Sequence, residues 1–169
     1  MSIRLRFYST TTEQEQRLTI PRDLYDELLN SGQICENKVL TISQYWLNVV
    51  EKPVRMRVRH SRDITNAFYT DTYEHTVKYP IGEGADLEVT SELSSRQYDL
   101  IKTLVNNKDR DKKIRKYLTI SNSALNGDYT ITADFKPEWP DHVFVEFEAN
   151  KSNPIPFSLP ECFKEELNK

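Results

Sequence analysis

Hydrophobic and polar residues alternate along most of this chain, in short runs separated by turns and charged loops. An alternating run predicts a β-strand with one apolar and one polar face. Runs that alternate, or that are rich in β-branched and aromatic residues, cover residues 2–8, 12–20, 39–50, 54–59, 71–80, 85–93, 113–120, 128–135 and 142–148. The pattern predicts about eight strands, with residues 2–8 as a short extra edge ahead of the strand at Glu13.

A first helix is predicted after the second of these runs. Pro21 opens it, because proline is favourable in a first helical turn, and Gly32 can end it. Its apolar stripe consists of Leu24, Leu28 and Leu29.

Two further helices and one hairpin follow. Ser94 or Ser95 can cap the second helix, and a short helix closes the chain after Pro160. The pair Asn126-Gly127 is a hairpin signal. The apolar side of the second helix is predicted to contain Tyr98, Ile101, Leu104 and Val105.

The polar faces of the strands carry charges whose sign changes from strand to strand. The acidic positions are Glu13, Glu15, Glu88, Glu92, Asp134, Glu146 and Glu148. The basic positions are Arg17, Arg55, Arg57, Arg59, Lys78, Lys113 and Arg115. Such charges are costly to bury unless they compensate one another. We therefore predict an α+β fold with a mostly antiparallel, eight-stranded β-barrel, a polar interior and about three flanking helices, as a single domain over residues 1–169.

The amino-acid composition excludes several classes of structure and of phosphate-binding site. Among 169 residues, 37% are apolar and 29% charged, and nine Tyr, seven Phe and two Trp favour a packed fold over disorder. Only four glycines are present, and no glycine-rich phosphate-loop motif occurs. Side chains would therefore have to bind any phosphate. The net charge of −3 gives no general attraction to nucleic acid or acidic membranes.

The cysteines and the hydropathy pattern indicate the compartment. Cys35 and Cys162 have no metal-site or disulfide spacing, as is usual in a reducing cytosol. No leader and no apolar run of membrane-spanning length is apparent. We expect a cytoplasmic protein without a membrane partner, either a monomer or a homodimer.

The charged faces suit a metal-bound phosphate ester. Carboxylates bind Mg²⁺ or Mn²⁺, which proteins commonly share with substrate phosphates. Arginine forks match phosphate oxygens, and lysine acts as a point charge. The chemistry predicted from the residues is the binding of a metal–triphosphate complex.

The order of the motifs resembles the CYTH superfamily of triphosphate tunnel metalloenzymes, and the resemblance covers nearly the whole chain. The amino-terminal ExExK signature of that family is similar to Glu13-Gln14-Glu15-Gln16-Arg17. A QxYL-like strand resembles Gln44-Tyr45-Trp46-Leu47. The RxR strand resembles Arg55-Met56-Arg57 or Arg57-Val58-Arg59, and both registers stay open.

The later motifs follow in the order of the family. A TxK strand is similar to Thr76-Val77-Lys78, and the KxRY element to Lys113-Ile114-Arg115-Lys116-Tyr117, with one extra residue. The late acidic strand resembles Asp134 followed by Glu146-Phe147-Glu148. Where the family has RxExE, this chain has Asp86-Leu87-Glu88-Val89-Thr90, with Glu92 two positions beyond.

The resemblance implies a triphosphate tunnel whose residues have three roles. Metal ligands would be Glu13, Glu15, Asp134, Glu146, Glu148 and Glu88. Phosphate ligands would be Arg17, Arg55, Arg57, Arg59, Lys78, Lys113 and Arg115. Catalytic residues would be Glu15, Lys78 and Glu146.

Several activities fit this pattern. The resemblance implies a metal-dependent hydrolase of inorganic, thiamine or nucleoside triphosphates, or a class IV-type adenylyl cyclase that forms cyclic AMP from ATP. The reversed charge at Asp86 and the threonine at position 90 instead favour a non-catalytic binder of polyphosphorylated nucleotides. A nucleic-acid-binding or partner-binding barrel is a further alternative, which the acidic net charge disfavours. The one nucleic-acid partner that we retain is an RNA 5′ end.

Overall fold

The described part of the chain contains nine strands and three helices. The structure is a computed structural model that describes residues 3–6, 15–47, 54–82, 85–105, 110–150 and 154–167, with the backbone alone for residues 3–6, 15, 81, 82, 85, 86 and 165–167. In chain order the elements are β1 (Ile3–Arg6), β2 (Glu15–Pro21), α1 (Arg22–Asn30), β3 (Ile34–Leu47), β4 (Arg55–Asp63), β5 (Thr70–Gly82), β6 (Ala85–Glu92), α2 (Ser95–Thr103), β7 (Arg110–Ile120), β8 (Tyr129–Phe135), β9 (His142–Ala149) and α3 (Glu161–Leu167).

The strands form a sheet in the order β1-β6-β5-β4-β3-β7-β8-β9-β2. The ladders β1–β6, β6–β5, β5–β4, β4–β3, β7–β8, β8–β9 and β9–β2 are antiparallel. The predicted α+β class, with a mostly antiparallel sheet and three helices, is confirmed. The strand β1 lies at one end of the order, as expected of an extra edge, but its partner is β6.

The chain divides into two compact units, each built from two stretches of sequence. Unit 1 contains Met1–Glu13 and Leu40–Lys113, and unit 2 contains Gln14–Val39 and Ile114–Lys169. The long strands β3 and β7 each contribute residues to both units. The single domain predicted over residues 1–169 stays a prediction.

Helix α2 covers the apolar side of the unit 1 strands and packs on β4 and β5. Its first turn is fixed by a capping box, in which the Ser94 hydroxyl accepts a hydrogen bond from the Gln97 backbone and the Gln97 side chain accepts one from the Ser94 backbone. This confirms Ser94 as the cap. The buried centre of the unit 1 core consists of Tyr45, Val58 and Tyr98.

Unit 2 contains the larger core, and helix α1 packs against it. Tyr25 and Leu28 of α1 are buried there, and Leu24 and Leu29 pack at its margin. The predicted stripe is thus confirmed, and Tyr25 joins it. Gly32 follows the helix with a φ of 72°, a left-handed conformation that ends a helix at little cost for glycine.

One local prediction was wrong. Leu104 lies beyond the last turn of α2 and is 84% exposed, so it does not belong to the apolar side of that helix. The hairpin predicted at Asn126-Gly127 is confirmed, because residues 121–128 join the antiparallel neighbours β7 and β8, but its loop is longer than the two residues that this pair usually forms. The Asn126 side chain instead binds the backbone of Ile120 through both its amide oxygen and its amide nitrogen, at 2.9 and 2.6 Å.

No helix in the described ranges is both long and apolar enough to cross a membrane.

We expect Phe147→Ala to lower the free energy of unfolding by about 3–5 kcal/mol, because it removes a wholly buried ring and leaves a cavity. The ring packs edge-on against Phe157 and Phe163. Chemical denaturation measures the change. The matched control is Phe68→Ala, whose ring is 91% exposed and whose loss should change the free energy by about 0.5 kcal/mol or less. Equal losses in the two variants would contradict the core assignment.

Candidate functional site

Unit 1 has one polar sheet face, built from alternate positions of neighbouring strands. The register places Arg55 opposite Lys78, and Lys78 opposite Glu88. Residues paired across a ladder have side chains on the same side of the sheet. By the same register, the unit 1 polar face consists of Gln44, Trp46, Arg55, Arg57, Arg59, Glu74, Thr76, Lys78, Glu88, Thr90 and Glu92. The structure thus brings five predicted site residues to one face: Arg55, Arg57, Arg59, Lys78 and Glu88.

The carboxylate of Glu88 binds both cations that flank it. Its Oε2 lies 2.8 Å from Lys78 Nζ, and its Oε1 lies 3.9 Å from an Nη of Arg57. The Thr90 hydroxyl donates a hydrogen bond to Oε1 at 3.3 Å. Burial alone would raise the pKa of Glu88, but Lys78, Arg57 and Thr90 together hold that pKa below its usual value. The Glu88 carboxylate is therefore an anion of the protein itself that occupies Lys78 and Arg57, two residues predicted to bind phosphate.

A second set of polar contacts involves Arg59, Gln44 and Asp111. The guanidinium of Arg59 donates two hydrogen bonds to Gln44 Oε1, at 3.3 and 3.2 Å. Gln44 Nε2 donates to Asp111 Oδ2 at 2.8 Å. The other oxygen, Asp111 Oδ1, is buried and has no hydrogen-bond partner among the described residues. A buried oxygen of this kind requires a donor, because burial removes its water.

Trp46 is the aromatic residue of the unit 1 polar face. It lies opposite Arg57 in the β3–β4 ladder, and the Arg57 guanidinium carbon is 5.9 Å from the centre of its ring. Its neighbours along the strand, Tyr45 and Leu47, point to the other side and pack in the unit 1 core. Trp46 is half-buried and belongs to neither hydrophobic cluster.

Unit 2 contains a strong ion-pair cluster on β7, β8 and β9. Arg115 donates two hydrogen bonds to Asp134, each at 2.7 Å, and a third to Glu146 at 2.6 Å. Asp134 is 1% exposed. Burial would lower the pKa of the Arg115 guanidinium, but Asp134 and Glu146 raise it above its usual value. Arg115, predicted as a phosphate ligand, is thus engaged by two predicted metal ligands.

Arg17 and Glu148 lie nearer to solvent in the same unit. Arg17 Nε is 3.5 Å from Glu146 Oε1, but the Arg17 side chain is 70% exposed, so this pair adds little stability. The β2–β9 register places Glu15 directly opposite Glu148. Two like charges at paired positions are destabilising unless a cation compensates them. Glu146 lies two positions from Glu148 on β9.

The remaining predicted ligands lie elsewhere or outside the described part of the chain. Glu13 is outside the described residues, and Glu15 is described by its backbone alone. Lys113 is half-buried in the unit 1 part of β7. Among the side chains that the structure describes, no three His, Cys, Asp or Glu residues are grouped to hold a metal ion.

Asp111 is not among the residues that the sequence pattern predicts for the site. The pattern predicts that this strand begins at residue 113, whereas β7 begins at Arg110. Extending the alternation of Lys113 and Arg115 backwards by two residues would have put Asp111 on the same face.

We expect Arg115→Met to lower the free energy of unfolding by about 3–5 kcal/mol, because it leaves the Asp134 carboxylate buried without its principal partner. Chemical denaturation measures the loss. In the double variant with Asp134→Leu, part of the loss should be recovered, since no buried charge then remains at that position. A double variant as unstable as the sum of the single changes would show that the two side chains do not interact.

We expect Lys78→Met to raise the pKa of Glu88, because burial then opposes ionisation with less compensation. Carbon-detected NMR of the carboxyl group measures this pKa. The native pKa lies below the ordinary value of 4.5, so the stabilisation is present above pH 4.5 and is lost as the pH falls through the native pKa. Lys102→Met, on the exposed side of α2, is the control and should leave the pKa of Glu88 unchanged.

The chain is similar in structure to two proteins from Pyrococcus. A conserved hypothetical protein from Pyrococcus furiosus has a TM-score of 0.55 and 19% identity, covering 92% of this chain and 86% of that protein. A protein from Pyrococcus horikoshii OT3 has a TM-score of 0.53 and 15% identity, covering 91% and 86%. At such low identity the likeness shows the fold alone.

A candidate adenylate cyclase from Vibrio parahaemolyticus also matches, with a TM-score of 0.46 and 16% identity over 90% of this chain and 81% of that protein, which is too low to add to the fold assignment. No protein-family model matches the sequence, and neither does any curated protein. The chain thus shares the fold of the two Pyrococcus proteins.

Proposed function

We propose that this protein is a metal-dependent enzyme that acts on triphosphates, with inorganic, thiamine or nucleoside triphosphate as its substrate. The observation that carries the proposal is the contact of Lys78 and Arg57 with the two oxygens of Glu88. These cations already bind an internal anion in the way that they would bind phosphate oxygens. Arg55 and Arg59, at the adjoining positions of β4, extend this cationic row along the strand.

The carboxylates of unit 2 would hold the metal. Glu148 and Glu146 lie two positions apart on β9, and Glu15 is paired with Glu148. Asp134 is less suited to the metal, because both of its oxygens bind Arg115. Bound Mg²⁺ or Mn²⁺ would supply positive charge that orients the phosphates and offsets their charge.

The protein's own residues would have distinct roles in hydrolysis. Lys78 would bind an oxygen on which negative charge develops as the phosphorus–oxygen bond breaks. Glu15 and Glu146 would orient the attacking water and accept its proton. Arg17, Lys113 and Arg115 would add positive charge around the remaining phosphates, with Arg115 also keeping Glu146 in position.

Two related functions are alternatives within the same proposal. In an adenylyl cyclase, the 3′-hydroxyl of ATP would attack the α-phosphorus, so the products would be cyclic AMP and pyrophosphate. In a non-catalytic binder, the nucleotide would stay intact. The engagement of Asp134 and Glu146 by Arg115 favours the binder, because it occupies two of the carboxylates that a metal would need.

A substrate panel distinguishes these functions. Tripolyphosphate, thiamine triphosphate, ATP and a 5′-triphosphorylated RNA are incubated with the protein and Mg²⁺ or Mn²⁺, and the products are identified by chromatography and phosphorus NMR. Release of inorganic phosphate supports hydrolysis, and cyclic AMP supports the cyclase. Tight binding measured by calorimetry, without any product, would contradict the enzyme hypothesis and support the non-catalytic binder.

We expect Glu15→Gln to abolish turnover of the best substrate in the panel, because it removes a carboxylate that would both hold the metal and orient the water. The initial rate of phosphate release measures the effect. Glu138→Gln, at an exposed turn of unit 2, is the matched control and should retain the full rate. Undiminished activity of Glu15→Gln would contradict the assignment of this residue.

A further inference from the structure

The carboxylate of Glu88 occupies the two cations on which the proposed function depends. Its oxygens lie 2.8 Å from Lys78 Nζ and 3.9 Å from an Nη of Arg57, and the Thr90 hydroxyl donates a hydrogen bond to it at 3.3 Å. All three charged side chains are largely buried, with exposed fractions of 14% for Glu88, 17% for Arg57 and 23% for Lys78. Water and salt therefore screen these contacts less than they screen a surface ion pair.

An external anion that binds Lys78 and Arg57 must displace this carboxylate or lie against it. Displacement removes the internal contact, and two anions side by side repel each other. The free energy of the internal contact is thus subtracted from that of any new one. A single phosphate that contacts only these two cations replaces what it removes, so we expect its net gain to be small.

A chain of phosphates has a further cation within reach. Arg55 is exposed and lies directly opposite Lys78 in the β4–β5 ladder, where paired side chains are neighbours on one face. It is two positions from Arg57 on the same face of β4, which corresponds to about 7 Å along the strand. A second or third phosphate of one ligand can therefore contact Arg55 while the first replaces Glu88 on Lys78. These additional contacts supply the binding free energy that a single phosphate lacks.

We propose that Glu88 is a built-in competitor that restricts the unit 1 polar face to polyphosphates. The carboxylate holds Lys78 and Arg57 in the free protein and is displaced when a chain of phosphates binds. It excludes single phosphates, whose contacts do not offset the loss. The inference rests on the proposed function, because it uses the same cations, and it gives Glu88 a role in specificity in place of the metal-ligand role that the resemblance implies.

The experiment measures equilibrium binding of phosphate, pyrophosphate and tripolyphosphate by calorimetry, in EDTA so that neither metal ions nor turnover contribute. For the wild type, we expect tight binding of tripolyphosphate and no measurable binding of phosphate. Glu88→Gln removes the charge and nearly keeps the shape of the side chain. In this variant we expect tripolyphosphate and pyrophosphate to bind about tenfold more tightly, because contacts with an ionised group are stronger than neutral ones, and phosphate binding to become measurable.

Glu92→Gln is the matched control. Glu92 lies two positions from Glu88 on the same face of β6, opposite Glu74, so its substitution removes the same charge from the same face. The Glu92 side chain is exposed, and water screens an exposed charge. We therefore expect each affinity to change by about twofold or less. Equal gains in Glu92→Gln and Glu88→Gln would show that only the net charge of the face matters, and would overturn the inference.

Two further variants test the contacts themselves. Thr90→Val removes the hydroxyl that donates to Glu88 and keeps a side chain of similar size, so we expect tripolyphosphate to bind about two- to fivefold more tightly. Thermal unfolding shows whether each variant is folded, and an unchanged affinity in folded Thr90→Val would overturn the inference even if Glu88→Gln does not fold. In a Lys78→Met background, Glu88→Gln should give a much smaller gain, since the principal contact is already absent. Additive effects of these two substitutions would contradict a direct competition.

The outcomes separate this inference from the proposed function. Tighter binding by Glu88→Gln, in a protein without turnover, would support the inference and contradict the catalytic proposal alone. Turnover by the wild type, together with unchanged affinities in Glu88→Gln, would overturn the inference and leave the catalytic proposal in place. Binding of single phosphate by the wild type as tight as that of tripolyphosphate would overturn the inference as well.

Discussion

The need to neutralise buried charge controls the polar side of this sheet. Arg115 is held by Asp134 and Glu146, and Glu88 is held by Lys78 together with Arg57. Removing one partner of such a group leaves an uncompensated charge in a poorly solvated place, which costs far more than the pair contributes when intact. Each unit therefore retains its charged residues as sets on neighbouring strands, and a change at one position affects the others.

The same constraint gives the site its chemical character. Cations that must bind a carboxylate in the free protein can exchange it for a phosphate oxygen, because the two anions present similar oxygens to a guanidinium or an ammonium group. The net free energy of binding an external anion is then the difference between two free energies, that of the contact with the anion and that of the contact with the internal carboxylate. In the proposed function, Glu88 would set how strongly Lys78 and Arg57 attract a ligand, and the Thr90 hydroxyl, by stabilising the carboxylate, would add to this internal competition.

The sequence predicted the elements better than it predicted the partners within the site. Alternation identified the strands, and Ser94 and Gly32 identified helix ends, because these signals are local. It could not reveal that Arg115 binds Asp134, since that contact joins residues 19 positions apart and depends on strand register. The length of the loop between β7 and β8 could not be predicted for a related reason: Asn126 binds the backbone of Ile120, so a residue typical of tight turns stabilises a longer loop.

The three hydrogen bonds of Arg115 also bear on how the strands align during folding. Side chains on a strand alternate between its faces, so a slip of β8 by one residue would move Asp134 to the apolar side and bring Ala133 or Phe135 beneath the guanidinium. In the misaligned sheet, the Asp134 carboxylate would be buried among apolar side chains, and the Arg115 guanidinium would lose that counterion. A single arginine on β7, bound to acidic residues of β8 and β9, thereby penalises out-of-register pairing, a form of specificity that the stability of the native state alone would not reveal.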